Sequence, residues 1–274
     1  MIRVQQSPHD PTFVQKPYPF YDRARAAGPI AYWEVDAMPC AFDAATVHAL
    51  LRDRRLGRAV PEDQRQPVPP HLAQFQAVEQ HSMLELEPPD HTRLRGLVLR
   101  AFTSRQIKAL APDIERITNA LLDALPSEAP FDLIPLFCTQ LPVRIIARLL
   151  GVPEAMAPDL LHWSSAMVAM YQAGRSRAVE EAAATAATEF AAFLTAYIAE
   201  RHNSPADDLI TELIAPEQKG KRLTTPEMIS TCVLLLNAGH EATVHSLGNA
   251  VKCRIEHATP RSALAPDKAA ATCE

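Results

Sequence analysis

The sequence has very little glycine, and its few glycines are far apart. Only 8 of the 274 residues are glycine, and no two have the spacing of a G-x-G-x-x-G or G-x-x-x-x-G-K-[ST] loop. Both loops need closely spaced glycines because the backbone must turn sharply and approach a phosphate group. The sequence therefore excludes a Rossmann-type dinucleotide site and a P-loop within these residues.

Cysteine is also scarce, and its positions form no recognisable metal or disulfide pattern. The five cysteines are Cys40, Cys138, Cys232, Cys253 and Cys273. None belongs to a C-x-x-C pair, and no cysteine and histidine have the spacing of zinc ligands. We therefore predict free thiols and no structural metal.

Long apolar runs and an excess of basic charge are lacking as well. Residues 1–10 do not have the apolar core of a secretion signal, and no run of about 18 apolar residues is present. The formal net charge of -5 gives no overall basic field to attract nucleic acid or an acidic membrane. We therefore expect a cytoplasmic protein that binds neither nucleic acid nor a membrane.

Alanine is abundant, and with so little glycine it predicts a mainly α-helical chain that the 24 prolines divide into segments. Apolar residues at helical spacing predict helices over 104–125, 131–150, 160–170, 178–202 and 207–214. A last long helix runs toward Val251. Its start has two alternatives, a capping box of Thr224 with Glu227, or a Thr225 cap followed by Pro226.

The N-terminal part of the sequence predicts a small hairpin and a loop. Short apolar stretches at 30–35 and 40–42 predict two paired strands, and Asp43 is placed to cap the helix that follows. Residues 57–82 contain several prolines among polar residues and predict a long irregular segment. Asp90 is the predicted cap of a helix that ends near Phe102.

Two segments carry residues that suggest chemistry. His91 and Arg95 are four residues apart, on one face near a helix N-terminus, a pattern that suits a carboxylate or phosphate ligand but, taken alone, is more typical of a solvated basic turn. In the last helix, Gly239 implies a close neighbour because glycine costs about 1 kcal/mol relative to alanine there. Glu241 in the same apolar helix predicts a buried carboxylate that needs a partner.

Four segments together resemble one family. They are EPPDHTRLR at 87–95, AFT at 101–103, PADDLI at 205–210 and LLLNAGHEAT at 234–243. In order and spacing they resemble soluble bacterial cytochromes P450, and the resemblance covers about residues 10–251. It implies a mainly α, P450-like fold that is incomplete and carries a small N-terminal β-hairpin. We expect a partial P450 domain over 1–251 and an unrelated or frameshifted tail over 252–274.

The resemblance implies a role for each matching residue. His91 and Arg95 match the pair that holds the haem propionates, and Ala238 and Gly239 match the helix segment over the distal haem face. Glu241 matches the acid that relays protons for O–O cleavage.

One position departs from the family pattern. Ala242 stands where the family usually has threonine, and Thr243 comes one residue later, about 100° round the helix. We include Ala242 among the haem contacts and Thr243 with Glu241 as catalytic candidates, with proton delivery through water or a substrate hydroxyl. Residues 57–82 and 163–175 match the loops that cover the substrate.

A larger departure follows Val251. The family's Glu-x-x-Arg helix and its Phe-x-x-Gly loop with the iron-binding cysteine do not follow, and the match at Glu62 and Arg65 falls in the proline-rich segment. The resemblance thus implies a haem monooxygenase acting on a small organic substrate with a ferredoxin- or flavodoxin-type electron donor. We expect these residues alone to be inactive. The alternative is a non-enzymatic helical remnant that binds an apolar ligand or partner.

Overall fold

The structure is a computed structural model that describes residues 1–102, 104–172, 174–214, 222–258 and 260–264. The chain is mainly α-helical with one small sheet, as predicted. Its contacts divide it into two compact units, Met1–Arg58 and Ala59–Glu274. The motif residue Thr103, Cys273 and the predicted tail beyond 264 lie outside the described residues.

The first unit contains a three-stranded sheet of β1 (Ile2–Val4), β2 (Ile30–Trp33) and β3 (Met38–Ala41). The predicted hairpin is confirmed, because β2 and β3 pair antiparallel with Ile30 opposite Ala41. The sequence did not predict β1, which has three residues and pairs in parallel with β2. A strand this short carries no readable alternation, and its partner is far along the chain.

Three short helices complete the first unit: α1 (Pro11–Gln15), α2 (Tyr18–Ala27) and α3 (Ala44–Leu50). The predicted cap of α3 is confirmed, since the Asp43 carboxylate accepts a hydrogen bond from the Thr46 amide at 2.9 Å. Aromatic rings fill the space between helices and sheet, with the Phe20 and Trp33 ring centroids 5.0 Å apart.

The second unit is built from nine helices over its described residues. They are α4 (Ala73–Glu79), α5 (Asp90–Ala101), α6 (Ser104–Ala109), α7 (Ala111–Asp123), α8 (Gln140–Leu150), α9 (Ala157–Val168), α10 (Arg177–Asn203), α11 (Leu209–Ile214) and α12 (Thr225–Glu256). A π-helix, Ile134–Cys138, precedes α8. Single 3-10 turns lie at Glu62–Gln64, Pro70–Leu72, Glu154–Met156, Ala169–Tyr171 and Arg261–Leu264.

The ends of two helices agree with sequence signals. At the start of α12 both halves of the capping box between Thr224 and Glu227 are present, which decides between the two predicted caps. Gly151 ends α8 with a φ of 81°, the left-handed conformation that glycine adopts most easily. Helix α12 continues past the predicted end near Val251 to Glu256.

Three local predictions are wrong. The segment 57–82 is not irregular throughout, because its last part forms α4. The single helix predicted over 104–125 is two helices, and Pro112 in the first turn of α7 begins the second. Asp90 is the first residue of α5 and makes no capping hydrogen bond, so Pro89 occupies the cap position instead.

The core of the second unit lies where α10 packs against α9 and α4, and α12 packs against α8 and α9. Trp163 stacks on Phe190 there with 5.1 Å between ring centroids. Helix α10 is long and apolar enough by composition to cross a membrane, and 39% of its most apolar window is buried in the core. Core helices of other proteins pass the same test, so this is weak evidence of a membrane span.

Candidate functional site

Helix α5 presents the predicted anion-binding pair on a face that the core leaves open. Its buried side chains are Leu94, Leu97, Val98 and Ala101, which anchor the opposite side. His91 is half-buried and Arg95 is exposed, one helical turn apart. Within the described part of the chain, neither side chain has an ion-pair or hydrogen-bond partner. Two donors therefore remain free on one face.

Arg93, which lies between His91 and Arg95 in the sequence, is paired with a carboxylate. Its guanidinium donates to both carboxylate oxygens of Glu227, from Nη2 to Oε1 in a short contact and from Nη1 to Oε2 at 3.5 Å. The Glu227 side chain is only 11% exposed. Burial alone would raise the pKa of Glu227, but the hydrogen bonds from Arg93 and Thr224 outweigh it and lower that pKa below its usual value. Glu227 is therefore held as a carboxylate.

Helix α12 has one buried face and one open face along its central turns. Cys232, Leu236, His240 and Val244 point into the core. Ala238, Ala242 and Thr243 are exposed, and Gly239 is half-buried. Two of the three haem-contacting positions predicted in α12, Ala238 and Ala242, thus lie on a side of the helix that no other described element covers.

Gly239 has a packing reason of its own. A Cβ at this position would lie 2.8 Å from Cδ1 of Ile146 in α8. Gly248 has the same relationship with Ile134 of the π-helix, at 2.6 Å from its Cδ1. The two glycines therefore let α12 approach its neighbours closely, as expected for a glycine inside a helix.

Glu241 does not have the buried environment that the sequence predicts. Its side chain is 47% exposed, and Nε2 of His245 lies 3.9 Å from its Oε1. The prediction that the Glu241 carboxylate is buried is wrong, because the apolar side chains next to it in the sequence lie on the other face of the helix. An exposed carboxylate needs no compensating partner.

Thr243 bonds to its own helix. Its hydroxyl donates to the Gly239 carbonyl at 2.7 Å, the hydrogen bond that threonine commonly makes four residues back. The helix continues without interruption through this point. The hydroxyl oxygen keeps its lone pairs free to accept a hydrogen bond from a further donor.

His240 is the buried polar residue of the same turn. It is 5% exposed, shares a hydrogen bond with the Thr139 backbone, and its Nε2 has no partner among the described residues. Burial lowers the pKa of His240. The imidazole is therefore neutral at neutral pH and contributes to packing rather than charge.

The two predicted substrate-covering segments meet at an ion-pair cluster. Nε2 of His71 lies 2.8 Å from Oε2 of Glu180, and Nε of Arg175 lies 3.2 Å from Oε1 of the same carboxylate. Nearby, the Tyr171 hydroxyl donates to Glu79 at 3.1 Å. Segment 57–82 is thus tied to the chain on either side of the α10 start.

The described cysteines are poor candidates for metal ligands. Cys138 and Cys232 are buried, and burial raises the pKa of Cys232 to about 12. Cys40 is half-buried and Cys253 is exposed. No cluster of three or more histidine, cysteine, aspartate or glutamate side chains suited to a metal occurs in the described residues.

Sequence reasoning missed the residues that connect the motifs. Glu227 was recognised only as half of a capping box, and Arg93 was overlooked although it lies inside the first motif. The sequence did contain a signal. Helical residues two positions apart point about 200° apart, so Arg93 faces away from both His91 and Arg95. No signal in the sequence pairs His71 with Glu180.

Comparison with known proteins points to one family, although no family model matches the chain. The chain is 35% identical over 263 residues to the vitamin D(3) 25-hydroxylase of Pseudonocardia autotrophica, covering 93% of this chain and 62% of that protein. It is 40% identical over 185 residues to cytochrome P450 107B1 of Saccharopolyspora erythraea, covering 68% and 44%.

Solved structures agree. The structure of P450BioI in complex with an acyl carrier protein ligated to hexadec-9Z-enoic acid superposes with a TM-score of 0.81 at 30% identity, over 92% of this chain and 64% of that one. The chain therefore spans less than two thirds of the length of the relatives it matches.

Proposed function

The chain belongs to the cytochrome P450 family, and we propose that its residues form the distal side of the haem pocket of a haem-thiolate monooxygenase. The haem in such an enzyme binds dioxygen, and a thiolate ligand promotes cleavage of the O–O bond. Insertion of oxygen into a small organic substrate, a ferredoxin- or flavodoxin-type donor and a cytoplasmic location are parts of this proposal.

The observation that carries the proposal is the open, small-residue face of α12. Ala238 and Ala242 are four residues apart on that face and leave room for a flat group to approach the backbone. The opposite side of this part of α12, which carries Leu236, His240 and Val244, is buried. A surface of this kind on a core helix favours a ligand or a further part of the domain against it.

The free donors of α5 fit the haem propionates. His91 and Arg95 offer several N–H groups on one face, and within the described residues none is committed elsewhere. A propionate pair is a dianion that accepts such hydrogen bonds. We therefore propose that these two side chains hold the propionates.

The proton-handling residues act through their own atoms. The Glu241 carboxylate is half exposed, so it can exchange a proton with water and carry it toward the open face. The Thr243 hydroxyl holds its proton on the Gly239 carbonyl and offers an acceptor oxygen. At Ala242 no hydroxyl is available, and a water or substrate hydroxyl takes that place.

The cysteines of this chain do not fit the role of axial ligand. Cys232 is a buried neutral thiol, and no cysteine in the sequence has a glycine two residues later. Glu62 begins a single 3-10 turn rather than a helix, which supports a coincidental Glu-x-x-Arg match. We propose that these residues alone do not carry out oxygenation.

Haemin titration followed by reduction under carbon monoxide tests the proposal. We expect the chain to bind haemin, and His91→Ala with Arg95→Ala to weaken binding about tenfold or more, because two charge-assisted hydrogen bonds are lost. Arg177→Ala with His202→Ala removes the same two residue types from α10 as a control. Unchanged affinity in the α5 variant would refute the propionate assignment.

The spectrum separates the remaining outcomes. The absorption band of a thiolate-ligated haem would contradict the proposed inactivity. Saturable binding of an apolar ligand by haem-free, monodisperse protein, with no haemin binding, would favour the non-enzymatic alternative.

A further inference from the structure

One buried carboxylate connects two helices and closes the first turn of one of them. Glu227 Oε2 accepts a hydrogen bond from the Thr224 amide at 2.8 Å, and both oxygens of Glu227 receive the guanidinium of Arg93. The Arg93 side chain is 25% exposed, with Asp90 Oδ1 3.9 Å from its Nε. The capping box of α12 is thus also the anchor of α5.

The direction of Arg93 matters because of its neighbours. His91 and Arg95 each lie two residues from Arg93, about 200° round α5, so the two free donors point away from the anchored one. Rotation of α5 about its axis would therefore move His91 and Arg95 and, at the same time, break the two hydrogen bonds between Arg93 and Glu227. The buried leucines of α5 also oppose such a rotation. They do not select one rotation angle as hydrogen bonds do, because the hydrophobic effect is not directional.

We propose that Arg93 and Glu227 are a positioning pair that fixes the rotation of α5 against the start of α12, and so sets where His91 and Arg95 meet an anionic group lying along the open face of α12. The inference rests on the proposed function. A planar guanidinium with two parallel bonds fixes orientation, whereas a lysine would supply charge alone.

The first experiment compares variants that keep the fold. Arg93→Lys retains the charge but not the fork. Glu227→Gln retains an oxygen for the Thr224 amide, so it separates helix capping from pairing. Replacing both partners, Arg93→Met with Glu227→Met, leaves no unpaired buried charge.

Haemin affinity and circular dichroism of the bound haem's Soret band are the readouts. We expect each variant to bind haemin about tenfold more weakly, as when residues that orient a ligand's direct partners are removed. We also expect an altered Soret signal, which reports the orientation of the bound group. Far-UV circular dichroism should match the unsubstituted chain.

A control pair of the same kind exists elsewhere. Nε of Arg148 in α8 lies 2.8 Å from Oδ2 of Asp113 in α7, so Arg148→Lys perturbs an interhelical ion pair away from α5. It should leave haemin affinity and the Soret signal unchanged. An equal effect of Arg148→Lys would show a general loss of stability and overturn the inference.

The remaining outcomes distinguish the two proposals. If His91→Ala with Arg95→Ala weakens haemin binding while all three Arg93 and Glu227 variants bind with unchanged affinity and Soret signal, the positioning role is wrong and the proposed function stands. If the His91 and Arg95 variant has no effect, the proposed function itself fails.

Discussion

The imidazole of His71 lies 2.8 Å from the carboxylate of Glu180, and the contact joins two segments that are far apart in the sequence. His71 belongs to the 3-10 turn before α4, and Glu180 to the first turn of α10. Arg175 reaches the same carboxylate from the loop before α10. Glu180 therefore joins the two segments that the resemblance assigns to the substrate cover, and this junction is called the closure below.

The first prediction concerns this closure. We expect Glu180→Gln to accelerate amide hydrogen exchange in Ala73–Glu79 by about two- to fivefold, since the partly exposed ion pairs of Glu180 with His71 and Arg175 are lost. Glu181→Gln removes the neighbouring exposed pair with Arg177 and serves as the control. Equal exchange in both variants would contradict the closure.

The closure also has a pH dependence. The hydrogen bond from His71 and the charge of Arg175 lower the pKa of Glu180 below its ordinary value of 4.5. The contribution of Glu180 to stability is therefore complete above pH 4.5 and is lost as the pH falls through the lowered value. After correction for the intrinsic pH dependence of amide exchange, the opening of Ala73–Glu79 should increase in that acidic range in the unsubstituted chain and change less in Glu180→Gln.

The second prediction concerns the contact between Gly239 and Ile146. Gly239→Ala should change the free energy of unfolding by less than about 1 kcal/mol, because crowding against the flexible end of Ile146, its Cδ1, offsets the gain in helix propensity. Ile146→Val removes that Cδ1 atom, so the double variant should be more stable than the sum of the single effects by about 1 kcal/mol. Urea unfolding measures this, and strict additivity would argue against the contact.

The third prediction concerns His240. Its pKa is lowered by burial, with opposing contributions from the Thr139 backbone and Glu241, while His245 lowers it further. The unfolded chain therefore takes up a proton first, and stability is complete above pH 6.5 and declines as the pH falls toward the folded-state pKa. His240→Gln should flatten the dependence of unfolding free energy between about pH 7 and 5. An unchanged slope would show that another group is responsible.

The fourth prediction compares two glycines with positive φ. Gly151 has a φ of 81°, and an added Cβ would lie 2.2 Å from Oδ2 of Asp208, whereas Gly174 has a φ of 69° and open space around it. Gly174→Ala should cost about 1 kcal/mol, the backbone strain alone. Gly151→Ala should cost about 3 kcal/mol, because Asp208 is buried and bonded to Arg201. Similar melting temperatures for both variants would refute this difference.

Local signals predicted the parts of the fold that depend on neighbouring residues. The Asp43 cap, the Gly151 helix end and the capping box at Thr224 each follow from a few adjacent side chains. Strand β1 and helix α4 were missed because their stability comes from distant partners. Helix α4 packs on α10, which no periodicity within 57–82 reveals.

The sequence predicts the candidate site as a set of positions but not as an environment. The motifs point to His91, Arg95 and the turn around Gly239 as candidates. The burial of each side chain depends on which helix covers which face, and so the exposure of Glu241 and the burial of His240 were beyond sequence reasoning. The Arg93 to Glu227 contact, across 134 positions, has the same origin.

The two glycines of α12 have a mechanical consequence. Ile146 packs against Gly239 and Ile134 packs against Gly248, so α12 makes two close contacts with the preceding, antiparallel part of the chain. The two contacts are about 13 Å apart along the helix axis. One contact would let α12 tilt about a single point, whereas two contacts separated along the helix restrain its tilt. The position of the open face along the helix axis is therefore set by Ile134 and Ile146, two side chains that do not reach that face.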